Sequence, residues 1–95
     1  IFATNTQSIL FENRIGDIYR TLGEYNRAAD KYKDIIKKYP GDATAYISLS
    51  TMLLIDMKDV NSSVEVYKKA SVLPDIESNS NFVSLKNKLQ NVGGI

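Results

Sequence analysis

The sequence predicts an all-α fold built from helix-turn-helix hairpins, and three observations lead to this prediction. Apolar residues recur at intervals of three and four along most of the 95-residue chain, as on the buried face of a helix. No segment alternates apolar and polar residues in the manner of a strand. The sequence also contains one repeating unit twice. The pattern Ile15-Gly16-x-x-Tyr19 returns as Leu49-Ser50-x-x-Leu53, and Pro40 returns at the same interval as Pro74.

Residues that cap or break helices set the predicted bounds of the first two helices. Ser8 is the predicted N-cap of the first helix, with Asn5 as an earlier option, and Gly23 is its predicted end. The second helix is predicted over about residues 26–39, where Pro40-Gly41 ends it.

The later helices follow the same logic. Asp42 should cap a third helix over about residues 43–57, which is apolar enough to be buried on more than one side. The fourth is predicted to begin at Asn61 or Ser62, where Ser62-x-x-Glu65 has the form of a capping box. A final amphipathic helix is predicted over about residues 80–92. It places four apolar residues on one face: Phe82, Leu85, Leu89 and Val92.

The composition argues against an enzyme, a metal site and a cofactor. The chain has no Cys and no His, which excludes thiolate nucleophiles, imidazole bases and the usual zinc sites. Its net charge of +1 gives no bulk attraction to nucleic acid or anionic membranes. No apolar run approaches the roughly 18 residues of a membrane span. We therefore expect no catalytic residue, metal, cofactor or membrane span.

Lysines cluster late in the second and fourth helices, and they admit two interpretations. The clusters are Lys31, Lys33, Lys37 and Lys38, and then Lys68 and Lys69. Positive charge suits the negative end of a helix dipole, so solvated helix ends are favoured over a site for an acidic partner.

Because the chain opens at Ile1 without an initiator Met, we expect a fragment or a processed product. The sequence does not identify a compartment, and the cytoplasm or nucleus is only the default expectation.

The first unit resembles a tetratricopeptide repeat. That family's helix-turn-helix has a bulky apolar residue beside a small one and an aromatic residue three positions later. A small residue and an aromatic residue follow in the second helix, with a closing proline. These places are taken by Ile15, Gly16, Tyr19, Ala28, Tyr32 and Pro40. Two residues depart from the pattern: Glu12 stands where an aromatic residue is common, and Ile35 stands where alanine is common.

The second unit is more degenerate, and a third one is left unfinished. The second unit's two helices stand one position further apart than those of the first, so one residue has been added in the turn around Lys58. The last segment begins the pattern again but places Lys86 where a small residue belongs, so we interpret it as a capping helix. The resemblance implies one domain over residues 1–95, a right-handed α-solenoid segment. Its two hairpins are antiparallel: repeat one at about 9–42 and repeat two at about 43–76, with the capping helix at about 80–92.

Tetratricopeptide repeats hold a peptide or helix of a partner protein in a concave groove lined by their first helices. The resemblance implies a groove of eight residues: Asn13, Asp17, Arg20, Thr21, Ile47, Thr51, Leu54 and Ile55. The apolar strip within it would suit the face of an amphipathic partner helix. Because apolar helical stripes pack more often than they bind, the favoured alternative is that the capping helix or the core covers this strip.

The predicted function is therefore a protein–protein interaction module that binds a linear peptide or an amphipathic helix. Chaperone capture is disfavoured, because Asn13 and Asp17 stand where a carboxylate clamp would place Lys and Asn, and Asp17 would repel a carboxylate. The alternative is a structural segment of a larger helical-repeat scaffold, or a homodimer, in which neighbouring repeats or a second copy cover the same surfaces. Nucleic-acid binding through the lysine clusters is disfavoured by the near-neutral charge.

Overall fold

The computed structural model describes residues 2–95, and it describes side chains from Thr6 onward. Ile1, where the predicted domain starts, lies outside the described residues. Within this range the chain is all-α, as predicted, and contains no strand. The elements in chain order are α1 (Phe2–Thr21), α2 (Tyr25–Lys38), α3 (Ala43–Ile55), α4 (Val60–Ser71), a 3₁₀-helix (Ile76–Ser78) and α5 (Ser80–Asn91).

The predicted start of the first helix is wrong. α1 begins at Phe2, so Asn5 and Ser8 lie inside the helix and neither is its N-cap. No glycine or proline occurs before Gly16. Without such a breaker, the modest helix propensity of Ser or Asn does not force the helix to begin there.

The predicted start of the fourth helix is also wrong, by one to two residues. Asp59 is the N-cap of α4, and its carboxylate accepts the N–H of Ser62 at 3.1 Å. Hydrogen bonds from the side chain and then the backbone of Ser62 lower the pKa of Asp59. Ser62 and Glu65 therefore lie inside α4 and do not form a capping box at its start. Asp42, in contrast, caps α3 as predicted and accepts the N–H of Thr44 at 2.9 Å.

The extra residue of the second unit lies in the turn between α3 and α4. In the first turn, the N–H of Glu24 donates to the carbonyl oxygen of Tyr19, five residues back, at 2.9 Å. In the second turn, the N–H of Asp59 donates to the carbonyl oxygen of Leu53, six residues back, at 2.8 Å. Three residues separate α1 from α2, whereas four separate α3 from α4. The same closing contact is thus made with one more residue.

Small residues let the helices of each pair approach closely. In the first pair, a Cβ added to Gly16 would lie 2.6 Å from the ring of Tyr32, so the absent side chain makes room for that ring. In the second pair, the buried hydroxyls of Ser50 and Ser63 each donate to the other residue's carbonyl oxygen, at 2.8 Å and 2.7 Å. Equivalent positions therefore hold the two pairs together by different chemistry.

Two buried clusters form the core. The first joins α2 to α3 and contains Ala28, Ala29, Tyr32, Ile35, Ala45, Leu49, Met52 and Leu53. The second joins α3 and α4 to the C-terminal segment and contains Tyr46, Ile47, Leu54, Tyr67, Ala70, Ile76, Phe82, Leu85 and Leu89. The rings of Tyr67 and Phe82 stack there, with centroids 5.1 Å apart. α5 thus covers one end of the molecule, while α1 leaves an uncovered face at the other.

Glu12 joins α1 to α2 where the repeat family commonly has an aromatic residue. Its carboxylate accepts hydrogen bonds from Lys38 at 2.9 Å, Lys31 at 3.0 Å and the hydroxyl of Tyr39 at 3.1 Å. The two lysines, Lys38 first, lower the pKa of Glu12 to about 2. An ion-pair network thus holds α1 against α2 at this position.

Candidate functional site

The predicted groove residues separate into a polar group and an apolar group. Three residues of α1, Asp17, Arg20 and Thr21, line one cleft. The rest of the lining comes from the start of α2 and from the region of α3: Tyr25, Ser48 and Asp56. The cleft has a volume of about 550 Å³. We call it the polar cleft.

An ion pair fixes one side of the polar cleft. Arg20, in the last turn of α1, places its Nε 2.5 Å from Oδ2 of Asp56, which directly follows α3. The C-terminal ends of α1 and α3 are therefore neighbours. Because both side chains are partly shielded from solvent, this pair is screened less than one on the open surface.

The other side of the polar cleft is organised around Asp17. Its carboxylate accepts a hydrogen bond from the hydroxyl of Tyr32, and the hydroxyl of Thr21 donates to its backbone carbonyl at 3.0 Å. Burial, and then the neighbouring Asp17, raise the pKa of Tyr32, so the phenol stays protonated and remains a donor. Asp56 is paired to Arg20, and Asp17 is the lining carboxylate that forms no ion pair among the described residues. The cleft thus suits a partner that offers N–H groups or a positive charge.

Asn13 is the one α1 residue of the predicted groove that does not reach the polar cleft surface. It is 4% exposed, and its Nδ2 donates to the carbonyl oxygen of Ile9 at 2.9 Å. Its Oδ1 is buried and has no hydrogen-bond partner among the described residues. A buried unpaired oxygen of this kind costs about 1–3 kcal/mol. Asn13 is therefore part of the packing of α1.

The apolar group lies mostly under α5. Ile47 and Leu54 are 8% and 9% exposed and belong to the same buried cluster as Phe82, Leu85 and Leu89. Thr51 is half-buried, while Ile55 remains 42% exposed. The favoured sequence interpretation, in which the capping helix covers the strip, thus holds for Ile47 and Leu54 but leaves Ile55 accessible.

A second pocket, of about 510 Å³, lies where the ends of α3 and α5 meet the start of α4. Its lining is Leu54, Ile55, Lys58, Val60, Lys88, Asn91 and Val92. We call it the apolar pocket. The sequence predicted Val92 on the apolar face of the last helix and gave no signal for Lys88. Only the docking of α5 onto α3 brings both residues to Ile55.

Two residues of the first helices were missed by the sequence-based groove, although the repeat register could have found them. Arg14 directly precedes Ile15 and Ser48 directly precedes Leu49, so the two are equivalent in the repeat. Ser48 lines the polar cleft, while Arg14 lines a shallow surface beside it with Asp17, Ile18 and Thr21. The repeat register could not have identified Asp56 and Tyr25 as lining residues, since both lie at helix ends and the predicted groove used only positions within the first helix of each unit.

Neither metal-ligand geometry nor comparison with known proteins identifies a ligand for this chain. Among residues 2–95, no group of three or more acidic residues could hold a metal ion. None of the helices described for this chain has the length and apolarity needed to cross a bilayer. The sequence and the structure were compared with protein-family models, with curated proteins and with solved structures, and no match was found.

Proposed function

We propose that this chain is a tetratricopeptide-like interaction module that holds a peptide or helix of a partner protein against α1 and α3. The observation that carries the proposal is the polar cleft, in which three predicted groove residues meet Ser48 of the equivalent helix.

The arrangement of the helices supports the tetratricopeptide-like part of the proposal. Each consecutive pair packs across a short turn, and α2 packs on α3, so the second pair follows the first. The Arg20–Asp56 ion pair joins the C-terminal ends of α1 and α3. Two first helices side by side, running in the same direction, would line one surface, as that family's groove requires.

A peptide-display selection against the intact chain would test this function. We expect the selection to include peptides that are basic or rich in free N–H donors, because Asp17 is a carboxylate of the polar cleft that forms no ion pair among the described residues. Replacing the exposed Thr21 by Arg should weaken these peptides at least about tenfold, or about 1.4 kcal/mol, by filling the cleft and reversing its charge. The matched control is Asn87→Arg, at an exposed position of α5. If the basic peptides among those selected bind both variants equally, the proposed site is contradicted.

A second candidate, a segment of a larger helical-repeat scaffold or a homodimer, is favoured by the outer face of α1. Three large apolar side chains of α1 and one directly after it are each more than half exposed: Leu10, Phe11, Ile18 and then Leu22. In the repeat register, Phe11 and Ile18 are the counterparts of Ala45 and Met52, which are buried against α2. The exposed face of α1 is therefore equivalent, in the repeat, to the face of α3 on which α2 packs.

Light scattering separates the two candidates. A scaffold segment or homodimer should give dimers or larger species that dissociate when Phe11 and Ile18 are both replaced by Glu. An interaction module with a free groove should be monomeric with either sequence. Because Phe11 and Ile18 are exposed in the monomer, the double variant should keep its helical circular-dichroism spectrum.

A further inference from the structure

The apolar pocket has apolar walls and a cationic rim. Its walls are formed by Leu54, Ile55, Val60 and Val92, and two lysines, Lys58 and Lys88, complete the lining with Asn91. Within residues 2–95, neither lysine forms an ion pair with a carboxylate. The two nearest acidic residues in sequence to Lys58 are engaged elsewhere, since Asp56 pairs with Arg20 and Asp59 caps α4. The pocket therefore presents two uncompensated positive charges beside exposed apolar surface.

Lys58 occupies a backbone conformation that lysine adopts at a cost. Its φ is +57°, in the left-handed region, whereas the corresponding turn of the first pair has Gly23 with φ +79°. A residue other than glycine enters that region only at a cost in backbone energy. At this position Lys58 brings a positive charge to the edge of the apolar pocket. Its Nζ also donates to the carbonyl oxygen of Ile55 at 3.3 Å, which keeps the ammonium group beside the pocket.

The shape of the apolar pocket favours a segment of a larger partner over a small apolar ligand. Ile55 is 42% exposed and Val92 is 55% exposed, so the walls are open to solvent. Small-molecule sites usually bury about 70–90% of their ligand, which such walls cannot do alone. A partner protein can insert one or two side chains and cover the rim with the rest of its surface.

We infer that the apolar pocket binds an acidic amphipathic segment of a partner protein, which inserts large apolar side chains between α3 and α5 and places carboxylates on Lys58 and Lys88. This inference rests on the proposed function, because it names the chemistry of one partner segment. It assigns opposite preferences to two neighbouring sites: the polar cleft takes N–H donors or cations, and the apolar pocket takes anionic, apolar groups.

The test uses two short helical peptides that carry the same leucines at i, i+3, i+4 and i+7 and are flanked either by glutamates or by glutamines. Binding to the intact chain is followed by fluorescence anisotropy of labelled peptide. The glutamate peptide should bind several-fold more tightly than the glutamine peptide. That advantage should shrink as salt rises from about 0.05 M to about 0.5 M, because exposed charges are screened.

Variants of the chain assign the binding to this pocket. Lys58→Gly and Lys88→Gln should each weaken the glutamate peptide about two- to five-fold, as expected for single exposed ion pairs. Ile55→Asn should weaken both peptides about tenfold or more, because it removes apolar contact without emptying the core. Lys68→Gln is the matched control, an exposed lysine of α4 outside this pocket, and should change nothing. Lys58→Gly should also leave the urea midpoint unchanged or raise it, which separates loss of binding from loss of folding.

Three outcomes would overturn the inference. The first is equal binding of the two peptides, and the second is peptide binding that Lys58→Gly and Lys88→Gln leave unchanged. The third is binding of dodecanoate, a small apolar anion, at Ile55 when neither peptide binds. These outcomes leave the proposed function standing if display-selected peptides remain sensitive to Thr21→Arg. The proposed function fails separately if those peptides ignore the polar cleft.

Discussion

Gly16 and Glu12 lie on the face of α1 that packs on α2, and each makes a contact that the repeat pattern alone would not specify. At Gly16, the absence of a side chain makes room for the ring of Tyr32. At Glu12, a carboxylate takes the place of a ring and collects two lysines and a tyrosine. Both residues therefore determine how closely α1 lies against α2.

Replacing Gly16 by Ala should destabilise the protein, although the same change inside an exposed helix usually stabilises it by about 1 kcal/mol. The added Cβ would lie 2.6 Å from the ring of Tyr32. That ring is fully buried and its hydroxyl is bonded to Asp17, so it cannot move aside cheaply. We expect a loss of about 1–3 kcal/mol in the free energy of unfolding, measured in urea. Gly41→Ala is the control, because its added Cβ meets no atom within 4 Å; equal stability of the two variants would contradict the close approach.

Glu12 should make stability depend on pH in the acid range. The pKa of Glu12 is about 2 in the folded protein against an ordinary value of 4.5. A lowered folded-state pKa means that the stabilisation is complete above about pH 4.5 and is lost as the pH falls toward 2. Since solvent reaches Lys38, we expect the contribution near neutral pH to be about 1–2 kcal/mol.

The measurement is urea unfolding of the protein and of Glu12→Gln at a series of pH values. The variant should be less stable near neutral pH, and the two curves should converge as the pH approaches 2. Asn87→Ala, at an exposed uncharged position of α5, is the control and should leave the pH dependence of the parent unchanged. A constant gap between protein and Glu12→Gln across the acid range would count against the network.

At the scale of the helices, the two pairs are held by contacts at equivalent positions. Where α1 and α2 place Gly16 and Ala28, α3 and α4 place Ser50 and Ser63. The two serine hydroxyls lie 2.9 Å apart and each also donates to a backbone carbonyl of the other helix. A small side chain is kept at both positions, and the second pair adds hydrogen bonds across its interface.

Ser50→Ala and Ser63→Ala should each cost about 1–2 kcal/mol, because each leaves the other hydroxyl without part of its buried network. The double variant should cost less than the sum of the two by about 0.5 kcal/mol or more, since both hydroxyls are then removed together. Urea unfolding of all four proteins gives this coupling directly. Ser84→Ala, on the exposed side of α5, should lie within about 0.5 kcal/mol of the parent. Strictly additive costs would show that the two hydroxyls act independently.

The helices could be predicted where local chemistry decides them. Gly23 and Asp42 mark a helix end and a helix start because turn conformation and capping depend on neighbouring residues alone. The start of α1 and the cap at Asp59 were missed, since several nearby residues could serve and the sequence does not rank them. The coverage of Ile47 and Leu54 by α5 was only one of two alternatives, because it depends on packing between residues far apart in sequence.

At the scale of the whole molecule, the two ends of the helix stack differ. α5 covers the face of α3 and α4 with Phe82, Leu85 and Leu89, all almost fully buried. The outer face of α1 leaves Phe11 and Ile18 exposed. One end is therefore closed by the chain itself, and the other presents the kind of surface on which a further helix packs. This asymmetry is why Ile47 and Leu54 of the predicted groove are core, while Phe11 and Ile18 of α1 stay exposed.

Because α5 closes one end, its anchor should matter for the stability of the whole chain. Phe82 is fully buried and stacks on Tyr67, with ring centroids 5.1 Å apart. Phe82→Ala should cost about 3–5 kcal/mol, a large part of the roughly 5–15 kcal/mol that holds a typical small domain together. Hydrogen exchange should then show faster exchange in α5 first, while α2 and α3 keep more protection through their separate cluster. Val72→Ala, at a position 81% exposed, is the control, and a loss at Phe82 no larger than that at Val72 would mean that α5 does not anchor the fold.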